Sequence, residues 1–383
     1  DPEINVLSRR QRDRIATLEK SITEKEKIQE EPPDSKLQAE IKALKTEMNA
    51  IKKVTRKTMI TRVTQPRVTH ILPRGDWLDE SGPVVQSAIP EFMGSLASEK
   101  RLTRLDLANW LMDADKGAGK LTARVLANRL WYLLFGQGLA PDLTDFGGQG
   151  QPPEHPELLD NLSISLIEKN WRIKALLKEI VLSRTYRQTS SSSGKKISFQ
   201  TSYRLPAETI RDNALAISGL LVREVGGASI KPYQPAGYYR HLNFPTRKYT
   251  HHKDQRQWRR GVYVHWQRQF LHPMLKAFDA PRREECTAQR PSSNTPLAAL
   301  VLLNDPTFVE AAQSLAERIL AEGGTAIDSR LDFAFREAVS RKPDDFERNI
   351  LKKLLTSQKA KEEVAWTTVA RGILNLAETN LRR

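Results

Sequence analysis

The stretch Leu121-Thr122-Ala123-Arg124-Val125-Leu126-Ala127-Asn128-Arg129-Leu130-Trp131-Tyr132-Leu133-Leu134-Phe135 decides the fold class. Val125, Leu126, Leu130, Leu133 and Leu134 recur at helical spacing. The same period governs the flanks. Leu102, Leu105, Leu107, Ala108 and Leu111 precede it, and Leu158, Leu159, Leu162, Leu166 and Ile167 follow. Ile173, Leu176, Leu177, Ile180 and Val181 repeat the pattern, and Pro206 to Leu221 reads as one more helix with Pro206 in its first turn. Helices are expected again over 297–303, 307–322, 329–340 and from Phe346 to Leu381, with Pro343, Asp344 and Asp345 marking the last start. The chain is therefore read as mainly α, a large helical body with a small β element.

Before this body lies a different pattern. Ile15, Leu18 and Ile22 form one apolar stripe, and Leu37, Ile41, Leu44, Met48 and Ile51 form a second at alternating four- and three-residue steps, a coiled-coil seam. Pro32 and Pro33 interrupt the two, which predicts an antiparallel helical hairpin over 1–57. Met59–Val63 and Val68–Leu72 are β-favouring runs in a β/loop connector over 58–100. The body then spans 101–383, with a Ser-rich loop at Thr189–Gly194 and a loop-rich basic segment over 226–296. Strand character appears there once, at Gly261–Trp266.

Composition excludes several classes. The 383 residues carry 61 Lys+Arg against 46 Asp+Glu, a formal net charge of +15. No run of ~18 apolar residues exists, so no membrane-spanning helix is expected. The first residues lack the apolar core of a signal peptide, and the chain reads as a piece of a longer protein. Cys286 is the one cysteine, which rules out an intrachain disulfide, a Cys-rich zinc site and covalent haem attachment, and a lone thiol is expected to be buried. No phosphate loop, nucleophile elbow or kinase motif set is present.

The positive charge is concentrated. Between Arg240 and Arg290 there are 12 Lys+Arg against 4 Asp+Glu, with five of the seven histidines and seven aromatic residues, Phe244 among them. Basic groups interleaved with rings suit single-stranded nucleic acid or an acidic polysaccharide, in which arginine forks take sulfates or carboxylates and rings take sugar faces. Arg256, Trp258, Arg259, Arg260, Trp266, Arg282, Arg283 and Arg290 are the ligand-binding candidates. The pattern also arises where Trp266 and Phe270 are core and the arginines a solvated rim. Adjacent His251 and His252 lack the spacing of a helical metal pair, and no metal ligand set is assigned. Acid/base candidates are Asp145 and His155, on either side of a Gly147-Gly148-Gln149-Gly150 turn, and Asp279 and Asp305. Glycines in such a turn equally just supply positive φ.

Several blocks carry a resemblance. They are Leu121–Trp131, Phe135-Gly136-Gln137-Gly138-Leu139, Thr144-Asp145-Phe146-Gly147, Pro153–Asp160, Ser183–Gln188, Glu208–Asp212, Phe278-Asp279-Ala280-Pro281 and Leu302-Leu303-Asn304-Asp305-Pro306. In this order they resemble the C-terminal uncharacterised domain of the large exported planctomycete proteins that also carry cytochrome c domains, over roughly Arg67 to Leu376. Lys116–Lys120 departs from the family's Asn-Pro-Leu. The resemblance implies an exported, periplasmic or cell-surface context, and haem on an upstream domain with no cofactor in this chain. It implies no reaction. A non-catalytic binding or scaffolding module is the first expectation, contacting acidic polysaccharide. An enzyme acting on such glycans and a docking module for the cytochrome c domain are the alternatives, and the exported context argues against nucleic acid.

Overall fold

Ser8 opens the first helix. Its hydroxyl accepts from the Gln11 N–H (3.2 Å), while Gln11 Oε1 accepts from the Ser8 N–H (2.9 Å). In the computed structural model, which describes residues 3–27, 35–53, 56–96, 98–188, 202–242, 246–357 and 360–382, α1 spans Arg9–Lys27 and α2 Ser35–Lys53. Ile15, Leu18, Ile22 and Ile41 are the buried seam between them. Arg14 pairs with Glu47 (2.7 Å) and Lys52 with Glu19 (3.5 Å), while Lys25 pairs with Glu40 and Lys45 with Glu26 (2.8 Å). The start of α1 thus meets the end of α2, and the hairpin is antiparallel. Such exposed pairs set register more than they stabilise. Pro32 and Pro33 lie outside the described residues.

Returning the chain beside its own start has a consequence the sequence did not show. Glu3–Val6 (β1) pairs antiparallel with Arg56–Met59 (β2), Glu3 opposite Met59. The strand expected at Met59–Val63 therefore lies earlier and finds its partner before the hairpin. Val68–Leu72 contributes only an isolated bridge, His70 to Val84. These elements belong to a compact unit, Asp1–Ala88, and the remaining residues form a second, Ile89–Arg383.

The second unit holds the other helices: α3 (Arg104–Met112), α4 (Gly119–Phe135), α5 (Pro156–Glu168), α6 (Ile173–Leu182), α7 (Ala207–Ile217), α8 (Pro273–Ala277), α9 (Pro296–Asn304) and α10 (Pro306–Glu322). After them come α11 (Ile327–Val339), α12 (Asp345–Ser357), α13 (Glu362–Leu374) and α14 (Ala377–Asn380). Proline opens α5, α8, α9 and α10, where its missing N–H costs nothing. Asp305 ends α9 and caps α10, its carboxylate accepting from the Thr307 N–H (2.9 Å). The single helix expected from Phe346 onward is three. Asn375 donates to the Arg371 carbonyl (2.8 Å) and the Thr379 hydroxyl to that of Leu374 (2.9 Å), which takes the terminal acceptors of α13 and stops it.

Two large apolar clusters order this unit, beside a small one of Ile89, Trp110 and Ala118. Ala123, Ala127, Trp131 and Phe135 of α4 pack on Leu159 and Leu166 of α5 and on Leu176 and Ile180 of α6. The larger cluster joins α7 to α13, with Ala311, Ala312 and Ala316 of α10 letting Val369 and Ala370 of α13 approach closely. A two-residue strand, Tyr203–Arg204 (β3), pairs with Leu381–Arg382 (β4) and ties the chain end to the start of α7.

The segment 226–296 has little regular structure, so its buried carbonyls need other donors. Two buried arginines supply them. Arg211, fully buried on α7, donates to the carbonyls of Arg259 (2.7 Å) and Gln257. Arg259, itself 4% exposed, donates to the carbonyls of Glu224 (3.1 Å), Gly226 and Ala228 (3.0 Å) and lies 4.3 Å from the Tyr263 ring centre. The strand expected at Gly261–Trp266 is instead one 3₁₀ turn, Gly261–Tyr263, with a single bridge from Val264 to Ile230. Gly261 is pressed against α7: a Cβ there would lie 2.8 Å from the Glu208 carbonyl oxygen, and its N–H donates to Asp212 (2.5 Å).

His272 is buried in the same region. Its Nε2 lies 2.6 Å from the Tyr233 carbonyl and so carries the proton, while Nδ1 has no partner among the described residues. Burial pushes its pKa down to about 4 from an ordinary 6.5. The unfolded chain therefore takes up the proton first on acidification. Stability tied to neutral His272 is whole above pH 6.5 and falls away toward pH 4, by up to about 3 kcal/mol. The variant His272→Gln keeps a donor for Tyr233 and should flatten that part of the stability-against-pH curve. An unaltered slope between pH 6.5 and 4 would place the acid sensitivity in another group.

Candidate functional site

A cleft of about 1080 Å³ opens between α4 and the start of α7. That is just above the usual range for small-ligand pockets, roughly 300–1,000 Å³. Arg129, Tyr132, Leu133 and Gly136 line one side, at the three- and four-residue steps that put them on one face of α4. Opposite stand Tyr203, Arg204 and the first turn of α7, and Asp279, Arg290 and Val262 complete the walls. No side chain caps α7, and the carboxylate that meets its N-terminal dipole is Glu208 of its first turn.

The cleft is built around Gly136. It sits at φ 76° just past α4, and a Cβ there would meet the Tyr203 ring at 2.4 Å. With that ring laid on the glycine, the Tyr203 hydroxyl donates to the Leu133 carbonyl (3.2 Å) and Arg382 donates to that of Leu134. Burial raises the Tyr203 pKa, so the phenol stays protonated. Asn128, next to Arg129, points inward: its amide donates to the Ala140 carbonyl (3.0 Å) and its Oδ1 accepts from the Ala140 N–H (2.9 Å). That bond fixes the rotation of α4 and with it the side on which Arg129 emerges.

Charge in the cleft is mostly neutralised. Arg290 holds both oxygens of Glu208 (2.7 and 3.3 Å). Asp279 accepts from Arg204, from the Ser293 N–H (2.8 Å) and from the Ser293 hydroxyl (2.9 Å). Burial alone would raise the Asp279 pKa, but the Ser293 amide and the Arg204 guanidinium outweigh it and hold the carboxyl below its ordinary range. Both carboxylates are fully engaged, Asp279 by Arg204 and Ser293 and Glu208 by Arg290, a poor state for proton transfer. Arg129 differs. It is half-buried and has no side-chain partner among the described residues.

The predicted site residues divide accordingly. Asp279 and Arg290 line the cleft, and Arg282 lines a smaller hollow beside it. Arg283 stacks 3.8 Å from the Trp266 ring centre. Arg259 is internal, as described above. Arg256 is exposed but chelates Asp254 (2.7 Å), and Trp258 donates to Glu310 (2.9 Å). Arg260 lies 3.8 Å from Asp212. Asp305 is a helix cap. Asp145 accepts from the Gly147 N–H (2.6 Å) in a tight turn, His155 is exposed where α5 begins, and neither lines the cleft. Cys286, expected to be buried, is exposed. Phe244 and the Ser-rich loop lie outside the described residues. Arg129 was missed, though its spacing from Tyr132 and Gly136 on α4 was legible.

Among the described residues no group of three or more His, Cys, Asp or Glu side chains could hold a metal ion, and no helix is long and apolar enough to cross a membrane. Neither the curated proteins nor the solved structures contain a match to the chain. One family does match, over residues 103–355, which takes in the cleft. The chain belongs to that family, described as PSD1, protein of unknown function (DUF1553).

Proposed function

We propose that the chain is a non-catalytic binding module that takes an acidic polysaccharide in the cleft between α4 and α7. The observation that carries this reading is Arg129, a half-buried guanidinium with no carboxylate partner among the described residues, in a cleft whose other charges are paired. A guanidinium left half-desolvated gains most from a carboxylate or sulfate, which it grips with two parallel donors. Tyr132 and Tyr203 offer ring faces for a sugar, and Val262 and Leu133 offer apolar edge. Full engagement of Asp279 and Glu208 supports binding over glycan hydrolysis. In the wider context implied by the resemblance, the module sits at the end of a larger exported protein whose haem domain lies upstream, and it holds that protein to an acidic matrix.

Retention on sulfated polysaccharide, uncharged polysaccharide and DNA columns tests this. The wild-type chain should stay on the sulfated column above physiological salt, pass through the uncharged one, and leave DNA earlier. Arg129→Gln should leave the sulfated column at lower salt. Equal elution from both polyanions, with no effect of the substitution, would show generic charge rather than a site.

A further inference from the structure

We infer that the smaller hollow beside the cleft is a second oxyanion site. Given the cleft reading, on which this part rests, the ligand is then a chain with acidic groups on neighbouring units rather than a singly charged saccharide. The hollow has a volume of about 360 Å³. Three cations line it: Arg268, Lys276 on the last turn of α8, and Arg282. All three are exposed, and none has a side-chain partner among the described residues. The sole carboxylate in the wall, Asp279, is occupied by Arg204 and Ser293. The lining of the hollow therefore carries a surplus of positive charge, beside Leu271, Ala280 and Pro281.

The backbone holds this arrangement against its own preference. Asp279 (φ 59°) and Arg283 (φ 62°) are both left-handed non-glycine residues, and they bracket Arg282. The Ser293 bonds secure the first and the stack on Trp266 secures the second, so Arg282 leaves the chain from a turn fixed at both ends. Two guanidinium groups and an ammonium around a small hollow suit a sulfate, phosphate or carboxylate group. Asp279 and Pro291 line both the cleft and the hollow, so one wall separates the two. A ligand anchored on Arg129 and passing along the cleft would set a second acidic group at the hollow.

The test uses the full chain and the variant Arg268→Gln/Lys276→Gln/Arg282→Gln, whose three positions are exposed and outside the core. Sodium sulfate and sodium phosphate are titrated while the arginine Nε–H signals are followed by NMR. Affinities are then measured for a tetrasaccharide sulfated on every unit and for a disaccharide with one sulfate. Sulfate should move the Arg268 and Arg282 signals. The triple variant should bind the tetrasaccharide about 10-fold more weakly, the size expected of three exposed charge contacts, and the disaccharide unchanged. Signals unmoved by either anion, with tetrasaccharide affinity retained in the triple variant, would overturn the second site while Arg129→Gln still reports on the cleft. If neither saccharide binds but sulfate or phosphate moves the two arginine signals, the oxyanion site stands and the cleft reading falls. A stronger response to phosphate than to sulfate would uphold the site and assign it a phosphorylated ligand.

Discussion

Replacing Arg211 with alanine is expected to destabilise the 89–383 unit by about 4 kcal/mol, the cost typical of breaking a buried charged network. Burial pulls its pKa down to about 10, with Asp212 at 3.8 Å and the more distant Asp305 pulling the other way, so the group is charged at neutral pH. The substitution opens a cavity and strips the Gln257 and Arg259 carbonyls of their donor. Its effect should spread, because Arg259 in turn holds the carbonyls of 224–228. Hydrogen exchange should therefore rise at 222–230 and 257–265 together. Arg211→Lys keeps the charge and loses the fork, and should recover only part of the stability. A loss under about 1 kcal/mol for Arg211→Ala, read from urea denaturation, would mean that the loops are held by other bonds.

The second large effect is expected at Asp279. Asp279→Ala leaves Arg204 and the Ser293 amide without their acceptor, at a pair of side chains each less than one-fifth exposed. A loss of about 3 kcal/mol follows, the lower end of the range for halving a buried ion pair. Because the folded-state pKa lies below the ordinary 3.8, the contribution is present above that value. It disappears only as pH falls through the lower, folded value. Acid loss from Asp279 thus begins below the window in which His272 acts. Asp279→Asn separates the parts: it keeps an acceptor but not the charge, and should fall between wild type and alanine. Asp279→Ala with wild-type stability at neutral pH would contradict the role given to this pair.

The helices were legible because their apolar positions repeat: α5 and α6 lie within two residues of the positions read for them, whereas α4 begins six residues before Val125, where its small residues carry no strong apolar signal. The coiled-coil seam was legible for the same reason. Pairings across long sequence distances were not. Nothing in Glu3–Val6 points to Arg56–Met59, or in Tyr203–Arg204 to Leu381–Arg382, because two to four residues carry no periodicity of their own. The basic segment misled in one particular way. An arginine that satisfies buried carbonyls, as Arg259 does, looks in a sequence the same as one that faces solvent. A loop-rich stretch needs internal donors, so some of its arginines had to be structural, but only the folded chain shows which. Arg129 was hidden for the opposite reason: it lies in a regular helix, outside the charge cluster, and that no described residue pairs with it is a three-dimensional fact.

The most direct measurement is calorimetric titration of the wild-type chain and Arg129→Gln with a sulfated tetrasaccharide and its desulfated counterpart at physiological salt. Binding of the sulfated form alone is expected, weakened about 10-fold or more by the substitution, as for loss of a charge-assisted contact. Equal affinity of wild type and Arg129→Gln for the sulfated form, or no binding by either, would contradict it.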